Sequence, residues 1–182
     1  MTDAERPLVL LLSGPNLDLL GQREPEIYGT ATLADHVDRA SAAATRLGLA
    51  LEHLQSNHEG DLIEAVHGAR ERAAAIVVNA GALSHTSWSL HDALAAFEGV
   101  VVELHLSNPA GREPFRHTSV IAPVADGLVA GFGGLGYELA IEAVRRLLDG
   151  GEAAPRPGDK DRARPAETRS ETRRQTEQTE ES

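Results

Sequence analysis

Leu8-Val9-Leu10-Leu11-Leu12, running directly into Ser13-Gly14-Pro15-Asn16, decides the fold. A continuous apolar run of this kind reads as a buried strand of a parallel sheet. Further along, Leu33, Val37, Ala40, Ala44 and Leu47 share one helical face, with Thr32 placed to cap the start and Gly48 to stop the end. Leu49–Gln55 reads as a second strand. Leu62, Ile63 and Val66 then mark a helix, Ile76–Val78 a strand, and Leu90, Ala93, Leu94 and Phe97 another helix. Val100–Leu106 is a fourth strand and Leu128–Ala130 a fifth. Leu139, Ala143, Val144 and Leu147 form a last helix that ends near Gly150. Strands and helices in alternation predict an α/β protein, a doubly wound parallel sheet with helices on both faces. Five strands suggest the flavodoxin-like order 2-1-3-4-5.

The chain has 182 residues, and its last 32, Gly151 to Ser182, contain no Val, Ile, Leu, Met, Phe, Trp or Tyr. Four alanines stand there among 7 basic and 8 acidic residues. Such a segment buries too little apolar surface to offset its ordering entropy. The expectation is one folded domain over residues 1–150 and a disordered charged tail over 151–182.

Composition removes several function classes. With 17 basic against 28 acidic residues the chain carries net charge −11, and residues 1–150 hold 10 and 20 of these. An acidic surface repels phosphate backbones and anionic lipid, so neither nucleic acid nor membrane is an expected partner. The absence of cysteine excludes disulfides, thiolate metal sites and cysteine nucleophiles. The sole lysine, Lys160, lies in the tail, which leaves no ordered lysine for Schiff-base chemistry, pyridoxal phosphate attachment or a P-loop. The acidic start and the short Leu8–Leu12 run fit neither a signal peptide nor a membrane span, and a cytoplasmic protein is expected.

In doubly wound sheets ligands bind beyond the carboxyl ends of the strands. Those ends read Ser13-Gly14-Pro15-Asn16, Ser56-Asn57-His58-Glu59, Asn79-Ala80-Gly81 and Glu103-Leu104-His105-Leu106-Ser107-Asn108. Neutral hydrogen-bonding groups in this number suit a polyhydroxylated small molecule. The stretch from Ser13 to Gly29 is long for a strand-to-helix connection, which points to a lid or binding loop. It carries Arg23 and Tyr28. A guanidinium beside a phenol favours the phenolate and would equip Tyr28 as a general base. Glu103 and His105, two apart on a strand, project to the same face. A carboxylate beside an imidazole can fix its tautomer and favour the protonated ring that a general acid needs. The same pair is also compatible with a hydrogen-bonded core histidine. With His85 and His91 nearby it is compatible with a metal site too, although no HExxH or other ligand spacing supports one.

Gly131-Phe132-Gly133-Gly134-Leu135-Gly136 matches GxGxxG in form, but no strand follows it to carry the expected acidic residue. A tight strand-to-helix turn with close packing is the better reading. His85 and Asp92, seven apart, are placed on one face near the start of a helix. A flavin-binding module would need a phosphate-cradling loop after the first strand, where Pro15 instead removes a donor. A phospho-receiver domain would need an aspartate where Asn79 stands.

Together the motifs Ser13-Gly14-Pro15-Asn16-Leu17, Gly21-Gln22-Arg23-Glu24-Pro25-Glu26-Ile27-Tyr28-Gly29, Gln55–Gly60, Asn79–Ser87 and Glu103–Asn108, with Arg112, Phe115 and Arg116 following, resemble the type II 3-dehydroquinate dehydratases. The similarity runs from about Leu8 to Leu148, with Ser13 standing where that family usually has Asn. The resemblance implies a flavodoxin-like subunit that forms trimers, commonly four of them in a homododecamer. It implies dehydration of 3-dehydroquinate to 3-dehydroshikimate in the shikimate pathway, with no cofactor and no metal. Tyr28 would be the base at C2, Arg23 its activator, and His105 the acid at the C1 hydroxyl. Asn16 would hold a water against the enolate oxygen, and Glu103 would orient His105. Asn79, His85, Leu106, Ser107 and Arg116 would bind substrate, as would Asp92, in its own or a neighbouring subunit's site.

Overall fold

The computed structural model describes residues 6–22 and 30–151. Five strands, β1 (Leu8–Ser13), β2 (Ala50–Gln55), β3 (Ala75–Asn79), β4 (Val100–His105) and β5 (Gly127–Ala130), form one sheet in the order β2-β1-β3-β4-β5. Every neighbouring pair is parallel. Four helices connect them: α1 (Leu33–Arg46), α2 (Glu59–Ala69), α3 (Trp88–Ala95) and α4 (Leu135–Leu148). The fold class and strand order are those expected from the sequence.

The central strands alternate between two cores, one on each face of the sheet. Val9 and Leu11 of β1, Val77 of β3 and Val102 and Leu104 of β4 pack under α1 and α4. Leu10, Leu12, Ile76, Val78 and Val101 pack under α2 and α3. Helix α1 begins at a capping box: Thr32 Oγ1 accepts the Asp35 N–H, and the Asp35 carboxylate accepts the Thr32 N–H. Those bonds hold the Asp35 carboxyl below its ordinary pKa. The helix ends before Gly48, whose φ of 70° is left-handed.

Element ends differ from the periodicity by a few residues, for physical reasons. Strands β1 and β3 continue into the polar Ser13 and Asn79, which the apolar pattern does not reveal. Helix α4 starts at Leu135, well before Leu139, and its buried face is Gly136, Tyr137, Ala140, Ile141 and Val144; of the face expected from the sequence only Val144 is buried. Phe97 is fully buried yet lies past the end of α3. The GxGxxG stretch is the close-packed turn expected. Gly131 and Gly133 have positive φ, and a Cβ on Gly134 would lie 2.4 Å from the ring of buried His36. The expected disordered tail lies outside the described residues beyond Gly151. No helix among the described residues is long and apolar enough to cross a membrane.

Candidate active site

The carboxyl ends of β1, β3 and β4 meet at a cleft of about 190 Å³. At the end of β1 the chain turns hard against β3. The Gly14 N–H donates to the Asn79 carbonyl at 2.8 Å, and a Cβ on Gly14 would lie 2.5 Å from the Ala80 carbonyl oxygen. Only glycine permits that approach. Asn16 follows in the left-handed region, φ 66° and ψ 2°, a conformation that Asn adopts more readily than other side-chain-bearing residues. Its N–H donates to Asn57 Oδ1 at 2.7 Å. The Asn57 carboxamide in turn accepts from Gln55 Nε2 and donates to Asp18. Buried Leu17 and Leu20 pin the turn to the core, so Asn16 is presented on a fixed backbone.

Beneath the cleft lies a buried polar layer. Ser13 and Asn79 are register partners on β1 and β3 and face the α1 and α4 side. His53 Nε2 and Ser13 Oγ are 3.0 Å apart, and burial holds the His53 pKa below its ordinary value. The Tyr137 hydroxyl lies beside Ser13 and Asn79. Burial pushes its pKa up to about 12, against the smaller opposing effect of those two side chains. Tyr137 is therefore a neutral phenol at any physiological pH. Asn79 is 3% exposed and lines the cleft, and its Nδ2 has no partner among the described residues.

Strand β4 supplies the titratable pair. Glu103 is 0% exposed, and its Oε1 lies 2.9 Å from His105 Nε2. The same oxygen accepts the Ser119 hydroxyl at 2.7 Å. His105 lines the cleft and stacks on His85 with ring centroids 6.1 Å apart and planes 9° from parallel. His85 Nδ1 lies 2.8 Å from the Thr118 carbonyl and must donate to it, because a carbonyl only accepts. The same logic protonates His91 Nδ1, 2.6 Å from the Val120 carbonyl.

Leu106, Ser107 and Arg116 complete the lining. Arg116 Nε donates to Glu113 at 2.8 Å, and its guanidinium covers the Phe115 ring at 4.7 Å. Glu113's own backbone N–H, then Arg116, hold the Glu113 carboxyl below its ordinary pKa.

Of the residues singled out in the sequence, Asn16, Asn79, His85, His105, Leu106, Ser107 and Arg116 line one cleft, and Glu103 sits behind His105. Asp92 does not join them. It is exposed on α3 and is not among the residues that line the cleft. The expectation that His85 and Asp92 share one helix is corrected here. His85 ends a separate short turn, Gly81–His85, and the Ser87 hydroxyl caps α3 by accepting the Leu90 N–H. Arg23 and Tyr28, with the rest of 23–29, lie outside the described residues. The chain on either side of that segment is close together, since a Cβ on Gly21 would lie 2.8 Å from the Thr30 carbonyl oxygen. Leu20, just before it, lines the cleft. No three potential metal ligands converge among the described residues. Sequence reasoning missed Asn57 as the clamp on Asn16 and Ser119 as the second donor to Glu103. Neither has a periodicity or spacing that would mark it.

Fold and site together define a doubly wound α/β protein equipped for acid–base chemistry on a small polar ligand. Residues 7–145 match the family described as Dehydroquinase class II. The chain is 51% identical over 143 residues to a 3-dehydroquinate dehydratase of Cereibacter sphaeroides, covering 79% of this chain and 97% of that protein. It is 55% identical over 135 residues to one of Bacillus licheniformis, covering 74% and 93%. Its fold matches the crystal structure of type II dehydroquinase from Propionibacterium acnes with a TM-score of 0.73 at 40% identity, covering 76% of this chain and 95% of that one. The chain belongs to the class II dehydroquinase family.

Proposed function

We propose that this protein dehydrates 3-dehydroquinate to 3-dehydroshikimate, the step its family name implies in the shikimate pathway, through an enolate. The observation that carries the reading is the buried Glu103–His105 pair opening on the same cleft as the fixed Asn16. Dehydration next to a ketone needs a base for the α-proton, stabilisation of the enolate oxygen, and an acid for the departing hydroxyl. Tyr28 is the base, and Arg23 favours its phenolate. Lowering a phenol pKa by two units takes about 2.7 kcal/mol, within reach of a nearby guanidinium in a partly closed site. Asn16, with a water, holds the enolate oxygen. His105 protonates the C1 hydroxyl, and Glu103 fixes the ring by holding Nε2.

Asn79, with its unpartnered amide, and Ser107 take substrate hydroxyls together with Leu106 and His85. Arg116 takes the carboxylate, a local cation set against an overall charge of −11. Residues 1–150 are the catalytic domain. In the cytoplasm the subunits assemble as trimers and then a dodecamer, in which Asp92 reaches a neighbour's cleft.

The test is incubation with 3-dehydroquinate. The product contains a conjugated enone and absorbs ultraviolet light. Rising absorbance is expected, and a flat trace from folded protein overturns the reading.

A further inference from the structure

Glu103 is fully buried, and all of its hydrogen bonding among the described residues falls on one oxygen. Oε1 takes His105 Nε2 and Ser119 Oγ, whereas Oε2 has no partner. A carboxylate anchored this way depends on each donor to keep it from rotating about its terminal bond.

Ser119 is built to be a fixed donor. A hydroxyl has one proton and two lone pairs. Both lone pairs are engaged, because the Ile121 and Ala122 N–H groups each donate to Oγ at 3.0 Å. The proton has two acceptors within reach, the Ser84 carbonyl at 3.3 Å and Glu103 Oε1 at 2.7 Å. The shorter bond, to a carboxylate, is the stronger. The hydroxyl rotor is thereby set toward Oε1.

The segment around Ser119 is itself tied to the cleft. The Val120 N–H donates to the Ser84 carbonyl at 2.8 Å, and the Thr118 carbonyl accepts from His85 Nδ1. One three-residue stretch therefore fixes His85 directly and His105 through Glu103, and those two rings are the stacked pair facing the cleft.

We propose that Ser119 is a positioning residue for the acid half of the reaction, holding Glu103 Oε1 so that the His105 ring keeps its orientation for hydroxyl departure. The proposal rests on the reading of His105 as the proton donor. Its chemical signature is selectivity. Loss of the Ser119 hydroxyl slows loss of the C1 hydroxyl and spares removal of the C2 proton, which uses a different group.

The experiment measures dehydration by ultraviolet absorbance and C2 exchange by deuterium uptake into 3-dehydroquinate in heavy water, on the full-length assembled protein. Ser119→Ala is expected to lower kcat about 10- to 100-fold, the size of loss that outer-shell partners of metal-bound histidines show, with KM within about threefold. Deuterium uptake is retained, so the ratio of dehydration to exchange falls at least about tenfold. Ser119→Thr, which keeps the hydroxyl, restores most of kcat. In a Glu103→Gln background Ser119→Ala costs less than about threefold, because the two act as a unit. If Ser119→Ala fails to assemble, Ser119→Cys carries the same measurements with a weaker donor.

A parental kcat in Ser119→Ala overturns the proposal. So does an equal loss of exchange and dehydration, or an undiminished cost in the Glu103→Gln background. His105→Ala, run beside them, separates the two failures. If it dehydrates at the parental rate, the proton-donor reading itself has failed. If it is inactive while Ser119→Ala is not, only the role of Ser119 has.

Discussion

His36 offers a direct measure of how the buried layer under the cleft responds to pH. It sits on α1 at 2% exposure, its ring stacked on Tyr137 with centroids 5.2 Å apart and planes 7° from parallel. Neither ring nitrogen has a hydrogen-bond partner among the described residues. Burial first, and then the charge of Arg39, push its pKa below the ordinary histidine value. Above about pH 6.5 the ring is neutral in folded and unfolded chains alike, and its full contribution to stability is present. As pH falls below that value the unfolded chain takes a proton that the folded chain refuses. Stability is then lost until the depressed folded-state pKa is reached. Between pH 7.5 and 5.5 one such group removes at most about 1.4 kcal/mol. His36→Leu deletes the titrating ring at similar volume. It exchanges a ring stack worth about 0.5–1.5 kcal/mol for relief of two unmade hydrogen bonds, and so changes stability little at pH 7.5. Unfolding of parent and variant, followed by circular dichroism in urea at both pH values, should show the variant gaining on the parent by up to about 1.4 kcal/mol at pH 5.5. His53 is shifted in the same direction and leaves a residual slope in both proteins. Parallel stability curves for the two proteins would refute the assignment of His36 as a buried neutral imidazole.

Three further outcomes are expected. Tyr28→Phe should assemble normally and lose nearly all turnover, and retention of most activity would remove Tyr28 as the base. Gly134→Ala should lower stability by about 1–3 kcal/mol, read as a fall in melting temperature, because its Cβ would lie 2.4 Å from His36 Cε1 and 2.6 Å from Nδ1. Gly134 has an ordinary right-handed backbone, φ −64°, so a stabilising effect would mean that the ring yields freely. Truncation after Gly150 should leave activity unchanged while removing Lys160, the only lysine. Borohydride added with substrate should then trap nothing on either protein, whereas covalent trapping on Lys160 would establish an imine route instead of the enolate.

The sheet was legible because β1 and β3 are buried on both faces and are therefore apolar up to their last residue, as in Val9–Leu12 and Ala75–Val78. The helices were legible where one face is buried, as along α1. Legibility failed where burial and polarity part company. Ser13 and Asn79 are strand residues that look like loop, and Leu135 is a helical residue whose exposed side chain adds nothing to the stripe. Much of the cleft could be placed from the sequence because strand ends collect there by topology, and two residues apart on β4 fixes Glu103 and His105 to one face. The supports were another matter. Asn57 meets Asn16 across 41 positions, and Ser119 meets Glu103 across 16 through an irregular segment. No local period encodes such meetings.

The two sides of the cleft are made rigid by different means, and this bears on how the reaction divides. Asn16 is held through its backbone: a left-handed φ, an N–H fixed by Asn57, and leucines anchored in the core on its C-terminal side. A backbone so constrained keeps a donor in place without spending side-chain hydrogen bonds, and among the described residues the Asn16 carboxamide makes no cap bond of its own. His105 is held through its side chain, by a buried carboxylate that depends on a single saturated hydroxyl. Thr118 and Ser119 are consecutive, so the carbonyl that orients His85 and the hydroxyl that orients Glu103 move together. The His105 ring and its stacked neighbour His85 therefore share one support. Under the proposed reaction, a substrate that engages His85 would act on the same frame that holds His105, coupling recognition of the ring hydroxyls to the step that expels one of them.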